Sequence, residues 1–274
     1  MERKLFCELN PACYKVSLTK ERYKRHIKDK VTKEKFAKDK SDELLPFVVK
    51  AHRSLIVRKL HGVDIKLQEN KKINLKIAGD KITNIIIHPG EVFSFWKIVG
   101  KPTVKKGYKK GLVISKKGFY DGIGGGLCQL ANMIHYLVLN SPLKVTELHH
   151  HSDALFPDER RKVPFGTGTS VLYNYIDYRF KNNQKYDVQL IIWQEEDDLL
   201  GELRAEEDSK YRYKLVEEDN HYIKEGKEYY RISKVYKLTI DKKSNKEVKK
   251  ELILDNHSKV MYDHKLIPKD QIKK

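Results

Sequence analysis

The stretch Gly122-Ile123-Gly124-Gly125-Gly126-Leu127-Cys128-Gln129 places a thiol two residues behind three consecutive glycines. Leu130, Met133, Ile134 and Leu137 then recur at steps of three and four, so the run opens a helix with Cys128 in its first turn. A thiol attacks a carbonyl as thiolate, and the unpaired N–H groups and positive dipole end of a helix N-terminus favour that anion. Glycines in front of it let backbone come close to a substrate and turn N–H groups toward a developing oxyanion. Residue type and spacing thus fit an acyl-transfer nucleophile. A structural cysteine behind a glycine turn is the competing reading, and both stay open at this level. The phosphate-cradling pattern GxxxxGK[ST] is absent.

A nucleophilic cysteine needs a base, usually histidine, and a group that orients it. His135 lies seven residues along the same helix, about 10 Å away at 1.5 Å per residue, and reads as a packing residue. His149-His150-His151 follows a short strand expected over 144–148, and alternation lets His149 and His151 face the site while His150 points away. Asp177, on the more polar face of a further expected strand, could orient an imidazole or be an ordinary strand carboxylate. Trp96 and its aromatic neighbours are candidates for a substrate wall or for core. HExxH and CxxC patterns are absent, and no metal or other cofactor is expected.

These residues need a scaffold. The chain has 274 residues, 39% hydrophobic and 34% charged, with 16 Tyr, 9 Phe and 2 Trp, which is enough bulky apolar mass for a folded core. Its net charge of +18 favours anionic partners such as acidic lipid or cell-wall polymer. Lysines are scattered, without Arg-rich blocks or regularly interleaved aromatics, so no specific nucleic-acid partner is expected. Three cysteines do not make a disulfide framework, and no apolar run reaches the length of a membrane span. The first ten residues lack the apolar core of a signal peptide, and a cytoplasmic location is expected.

Hydrophobic periodicity predicts helix over 44–60 and again within 72–87, with extended chain over 92–95. It also predicts a hairpin turning at 116–118, and an antiparallel hairpin of 170–180 with 186–193. Short strands are expected at 211–216, 228–240 and 248–254. The fold class is α+β, helices packed on a largely antiparallel sheet with a small β-rich C-terminal module. The expected divisions are a basic segment 1–43, a central domain 44–200 and the module 201–274.

Three pieces of this sequence, in this order, resemble the VanW family, named from vancomycin-resistance gene clusters. They are Pro89-Gly90-Glu91-Val92-Phe93-Ser94-Phe95-Trp96, Gly124-Gly125-Gly126-Leu127-Cys128-Gln129, and His149-His150-His151-Ser152 followed by 171–183. The resemblance covers roughly residues 45–195. Some members are implicated as L,D-transpeptidases that crosslink peptidoglycan stem peptides through a cysteine acyl-enzyme. By position, the resemblance implies Cys128 as nucleophile, His151 as the family's histidine and Asp177 as its strand aspartate. Gly124, Gly125, Gly126, Gln129, Trp96 and His149 would line the oxyanion and substrate site, and a peptidoglycan peptide or precursor would be the partner. A non-catalytic module binding envelope polymers or precursors is the alternative. One departure stands out: where many members carry Asp two residues after the glycine matched by Gly166, this chain has Gly168.

Overall fold

The computed structural model describes residues 5–57, 64–115, 118–150, 153–154, 157 and 163–273. In chain order the elements are α1 (Phe6–Leu9), α2 (Pro11–Val31), β1 (Phe47–Leu55), α3 (Ile65–Ile82), β2 (Ile85–Ile87), β3 (Val92–Ser94) and α4 (Phe95–Val99). Then come β4 (Lys110–Ser115), β5 (Gly118–Ile123), α5 (Leu127–Leu139), β6 (Lys144–Glu147), β7 (Asp153–Ala154), β8 (Arg179–Lys181), β9 (Val188–Glu195) and β10 (Asp198–Ala205). The chain closes with β11 (Tyr211–Glu225), β12 (Glu228–Asp241), β13 (Glu247–Val260) and β14 (Ile272–Lys273). The class is α+β with a β-rich C-terminus, as the sequence predicts.

Local signals start the helices. Asn10 accepts from Cys13 N–H at 2.8 Å with Pro11 in the first turn of α2, and Asp64 accepts from Lys66 N–H at 2.9 Å at the head of α3. Helices α3 and α5 lie on an antiparallel sheet of order β1-β10-β9-β2. Leu75, Ala78 and Ile82 of α3 and Leu130, Ile134 and Leu137 of α5 meet Leu190, Leu199 and Leu203 in one core. A three-stranded sheet β3-β8-β6 and the β4-β5 hairpin flank it. The last strands form a separate sheet, β14-β11-β12-β13-β7, with a small core of Ala154, Phe165, Tyr222, Val260 and Ile267.

Two expectations are corrected. The expected helix over 44–60 is not found in its described part, 44–57: β1 is an edge strand paired with β10 from Phe47↔Ala205 to Leu55↔Asp198. Its apolar spacing satisfies either period, and the deciding partner lies about 150 residues away. The hairpin of 170–180 with 186–193 does not form either. Residues 172–176 close a tight turn at Asn174 (φ 45°), β8 pairs with β3 and β6, and β9 pairs with β10 and β2. Buried Asn182 holds the crossing between the two sheets by donating to the carbonyls of Ile87 (2.8 Å) and Tyr186 (2.9 Å). The last residue of β10 in the central sheet is Ala205. The turn at 116–118 lies partly outside the described residues, whereas β4 and β5 pair across it as expected. Among the described residues, no helix is long and apolar enough to cross a membrane.

Candidate functional site

Cys128 occupies the second position of α5, whose cap residue Gly126 has φ 94°. The glycine run is packed tightly against the protein. A Cβ on Gly125 would lie 2.1 Å from the Gly111 carbonyl group, one on Gly126 2.2 Å from the Lys71 side chain, and one on Gly124 2.7 Å from Pro102. Asn74, fully buried on α3, locks the loop by donating to Gly125 C=O (2.9 Å) and exchanging bonds with the backbone of Lys109. The close approach these glycines permit is therefore to β4, α3 and Pro102, in place of the expected approach to substrate. The N–H groups of Gly124 and Gly125 already donate to Lys109 and Gly122 carbonyls, both at 3.0 Å. The opening N–H groups of α5, those of Leu127 and Cys128, lack intrahelical acceptors by the geometry of a helix start.

The Cys128 thiol donates to the Val171 carbonyl at 3.8 Å in a half-buried setting. Burial pushes its pKa up, and it outweighs the opposing backbone hydrogen bonds. This burial opposes the thiolate that the helix terminus would favour. Gln129 donates to Ser54 Oγ (3.0 Å) and Leu55 C=O (2.9 Å), tying α5 to β1.

The two distant pieces of the motif meet at one short segment. Thr169 N–H donates to Asn132 Oδ1 (2.6 Å), one turn beyond Cys128, and Ser170 N–H donates to His149 C=O (2.7 Å). Residues 169–171 thus carry the helix bearing Cys128 on one side and the start of the histidine run on the other. His149 Nε2 faces Glu147 Oε1 at 3.0 Å. His150 Nδ1 approaches Gly166 C=O at 3.2 Å. With buried His135 it borders a largely apolar cleft of about 240 Å³ between α5, β6 and β13. Burial drives the His135 pKa down to about 3, and its Nδ1 lies 3.2 Å from the Tyr178 hydroxyl. His151 lies outside the described residues.

Asp177 is fully buried, and its oxygens are fully engaged. Oδ1 accepts from the N–H groups of Trp96 (3.1 Å) and Tyr178 (2.9 Å), and Oδ2 from Ser94 Oγ (2.6 Å) and Arg179 Nε (2.8 Å). Four donors fill the sites a carboxylate offers, so none remains to orient an imidazole. Trp96 is likewise core, 4% exposed, donating Nε1–H to Ile176 C=O at 2.8 Å. It packs edge-on to Phe95 and Tyr173, so it is no exposed substrate wall.

A carboxylate that meets a histidine of the 149–151 run is Glu147, which the sequence reading passed over. Its signal was the two-residue spacing to His149, which puts both on one side of extended chain. Arg25 of α2 grips Glu147 through both guanidinium nitrogens (2.5 and 2.6 Å), and Asp29 pairs with Arg179 at 2.7 Å. Burial alone would raise the Glu147 pKa, but the hydrogen bonds from Arg25 and His149 prevail and hold it below the usual value. Asn74 and Asn132 were also missed; each is a polar residue on a helix. Among the described residues, no three of His, Cys, Asp or Glu group as metal ligands.

Comparison with known proteins fits this arrangement. The family model described as VanW like protein matches residues 70–204, from within α3 to the penultimate residue of β10. The vancomycin B-type resistance protein VanW of Enterococcus faecalis is 25% identical over 227 residues, covering 83% of this chain and 82% of that one. An uncharacterized protein of Bacillus subtilis, YoaR, is 29% identical over 124 residues, 45% of this chain and 39% of its own. No solved structure matches. The matched span holds most of α3, the glycine loop, Cys128, the histidine run and strands β2 and β9 of the sheet beneath them, and with the relative matched over 83% of this chain it supports membership of the VanW family.

Proposed function

We propose that this protein transfers acyl groups of peptidoglycan stem peptides through Cys128, in the setting of glycopeptide resistance that its Enterococcus relative's name describes. The observation that carries the reading is the segment 169–171, hydrogen-bonded at Val171 to the Cys128 thiol and at Ser170 to His149. It brings a thiol, the start of the histidine run and the opening N–H groups of α5 into one neighbourhood. Because burial keeps the thiol protonated at rest, the base acts at the moment of attack and not through a standing thiolate. An imidazole of the 149–151 run takes the thiol proton as Sγ bonds to the donor carbonyl, and the Leu127 and Cys128 N–H groups receive the oxyanion. The C–N bond to the terminal D-amino acid breaks, and the imidazole returns the proton to the leaving amine. An acceptor amine then attacks the thioester and restores the thiol. Glu147 positions the His149 ring in this scheme.

The test is exchange of the terminal residue of a stem tetrapeptide for a labelled D-amino acid. Wild type exchanges, Cys128→Ala does not, and loss of the acting base by His149→Ala or His151→Ala lowers the rate about 10²–10⁴-fold. Exchange that survives in Cys128→Ala overturns the reading. The second reading, a non-catalytic binder of envelope polymers, draws on the filled glycine contacts and the raised thiol pKa. It predicts stem-peptide binding without exchange, unaffected by Cys128→Ala.

A further inference from the structure

Helix α2 has 21 residues and none is buried. Its inner side is held by polar contacts: Arg25 on Glu147, Asp29 on Arg179, and Arg22 Nε on Tyr173 C=O at 3.2 Å. At 100° per residue, Val16, Tyr23, Ile27 and Val31 fall within an arc of about 80° on the opposite side. They are 59%, 64%, 61% and 72% exposed. Lys20 lies within that arc, and Lys24 and Lys30 border it on either side. Lys24 pairs with Glu21 of the same helix at 2.9 Å, whereas Lys20 and Lys30 meet no carboxylate among the described residues. Just ahead, Leu5, Phe6 and Leu9 at α1 are also more than half exposed. A shallow recess lined by Lys15, Val16, Thr19, Lys20 and Tyr23 opens on the same face.

We infer that α2 is an interfacial helix that lays this face on an anionic lipid surface. The helix is about 32 Å long, too polar to span a bilayer, and carries its apolar side chains in a stripe edged by ammonium groups. The apolar residues sink to the headgroup–acyl boundary, Tyr23 sits at the level where amphipathic rings settle, and lysine stems lie along the stripe with their charges among lipid phosphates. The chain's net charge of +18 pulls in the same direction. Charge complementarity selects an anionic lipid over a neutral apolar partner, and the polar clamps on the inner side leave the stripe free without unfolding the helix. This inference does not depend on the acyl-transfer reading.

The experiment is flotation of the full chain with phosphatidylglycerol–phosphatidylcholine vesicles and with pure phosphatidylcholine vesicles. Wild type floats with the anionic vesicles alone. Tyr23→Ser/Ile27→Ser, which keeps every charge, loses binding at least tenfold, and Lys20→Gln/Lys30→Gln loses about 25-fold, at about fivefold per lysine. Unchanged thermal unfolding shows that both variants are folded. Absence of flotation, or flotation equal in the Ser variant, overturns the inference. So does retention of a soluble polyphosphate chain by the Ser variant at wild-type strength, which would identify a polymer site. A dimer that dissociates in the Ser variant, without vesicle binding by wild type, would mark the stripe as a seam between copies.

Discussion

Replacing Asp177 by Ala should cost stability before it costs any chemistry. The substitution strips one acceptor from two backbone N–H groups, a serine hydroxyl and a guanidinium, in a site with no solvent exposure. Arg179 keeps Asp29 at 2.7 and 3.1 Å, so it is not left bare, but the Trp96 and Tyr178 N–H groups lose their acceptor inside the core. Breaking a buried charged pair typically costs about 3–5 kcal/mol, a large part of a total stability of about 5–15 kcal/mol. With a urea slope of about 3 kcal/mol per molar, a loss of about 4 kcal/mol moves the midpoint down by about 1.3 M. Asp177→Asn keeps an oxygen for the N–H groups but turns an amide donor toward Ser94 and Arg179, and should fall between. Ser94→Ala removes one of the four bonds and should cost about 1 kcal/mol. Urea unfolding followed by Trp fluorescence reads all three. A midpoint for Asp177→Ala within about 0.3 M of wild type, at that same slope, would refute the assignment of Asp177 to architecture.

Gly125→Ala forces a methyl group to 2.1 Å from the Gly111 backbone and should cost about 3 kcal/mol or more, because the β4-β5 hairpin must part from α5. Gly168→Ala meets nothing nearer than Asn132 Oδ1 at 3.5 Å and should be neutral or slightly stabilising; thermal melts of the two proteins compare them directly. His135, neutral and buried with its pKa lowered from 6.5 to about 3, gives stability that is complete above pH 6.5 and drains away as pH falls toward 3. Within that window the loss is about 1.4 kcal/mol per pH unit, and urea unfolding from pH 6.5 to 5 should show it in wild type and a flatter slope in His135→Leu. The buried Tyr108 hydroxyl finds no partner among the described residues, so Tyr108→Phe should raise the melting temperature, by about 1 kcal/mol of stability.

Helix α5 was legible because its apolar residues recur at one period and glycines mark its start, and the C-terminal strands because their alternation is local, although they run longer than expected. β1 was not, since Val48, Val49 and Leu55 suit helix and strand alike and only pairing with β10 decides. The crossing at Asn182 was hidden for the same reason: the residues of 170–180 alternate, yet a turn at Asn174 and a buried amide divert them between sheets. At the site, the sequence located Cys128 and the histidine run but misassigned the supporting groups. The glycine loop reads equally as a cradle for substrate or as a seat for Gly111, and only the fold shows that Gly111 fills it. Asp177 and Glu147 look alike as strand carboxylates. They differ in their neighbours, four donors around the first and a histidine with an arginine from α2 around the second.

The most direct test of the acyl-transfer account is the intact mass of the protein after brief incubation with a stem tetrapeptide and no acceptor, followed by mapping of the modified peptide. The account predicts an added mass equal to the donor less its terminal D-amino acid, held as a thioester on Cys128 and absent in Cys128→Ala. An unmodified wild-type protein that still binds the tetrapeptide would contradict it and leave the chain as a binding module.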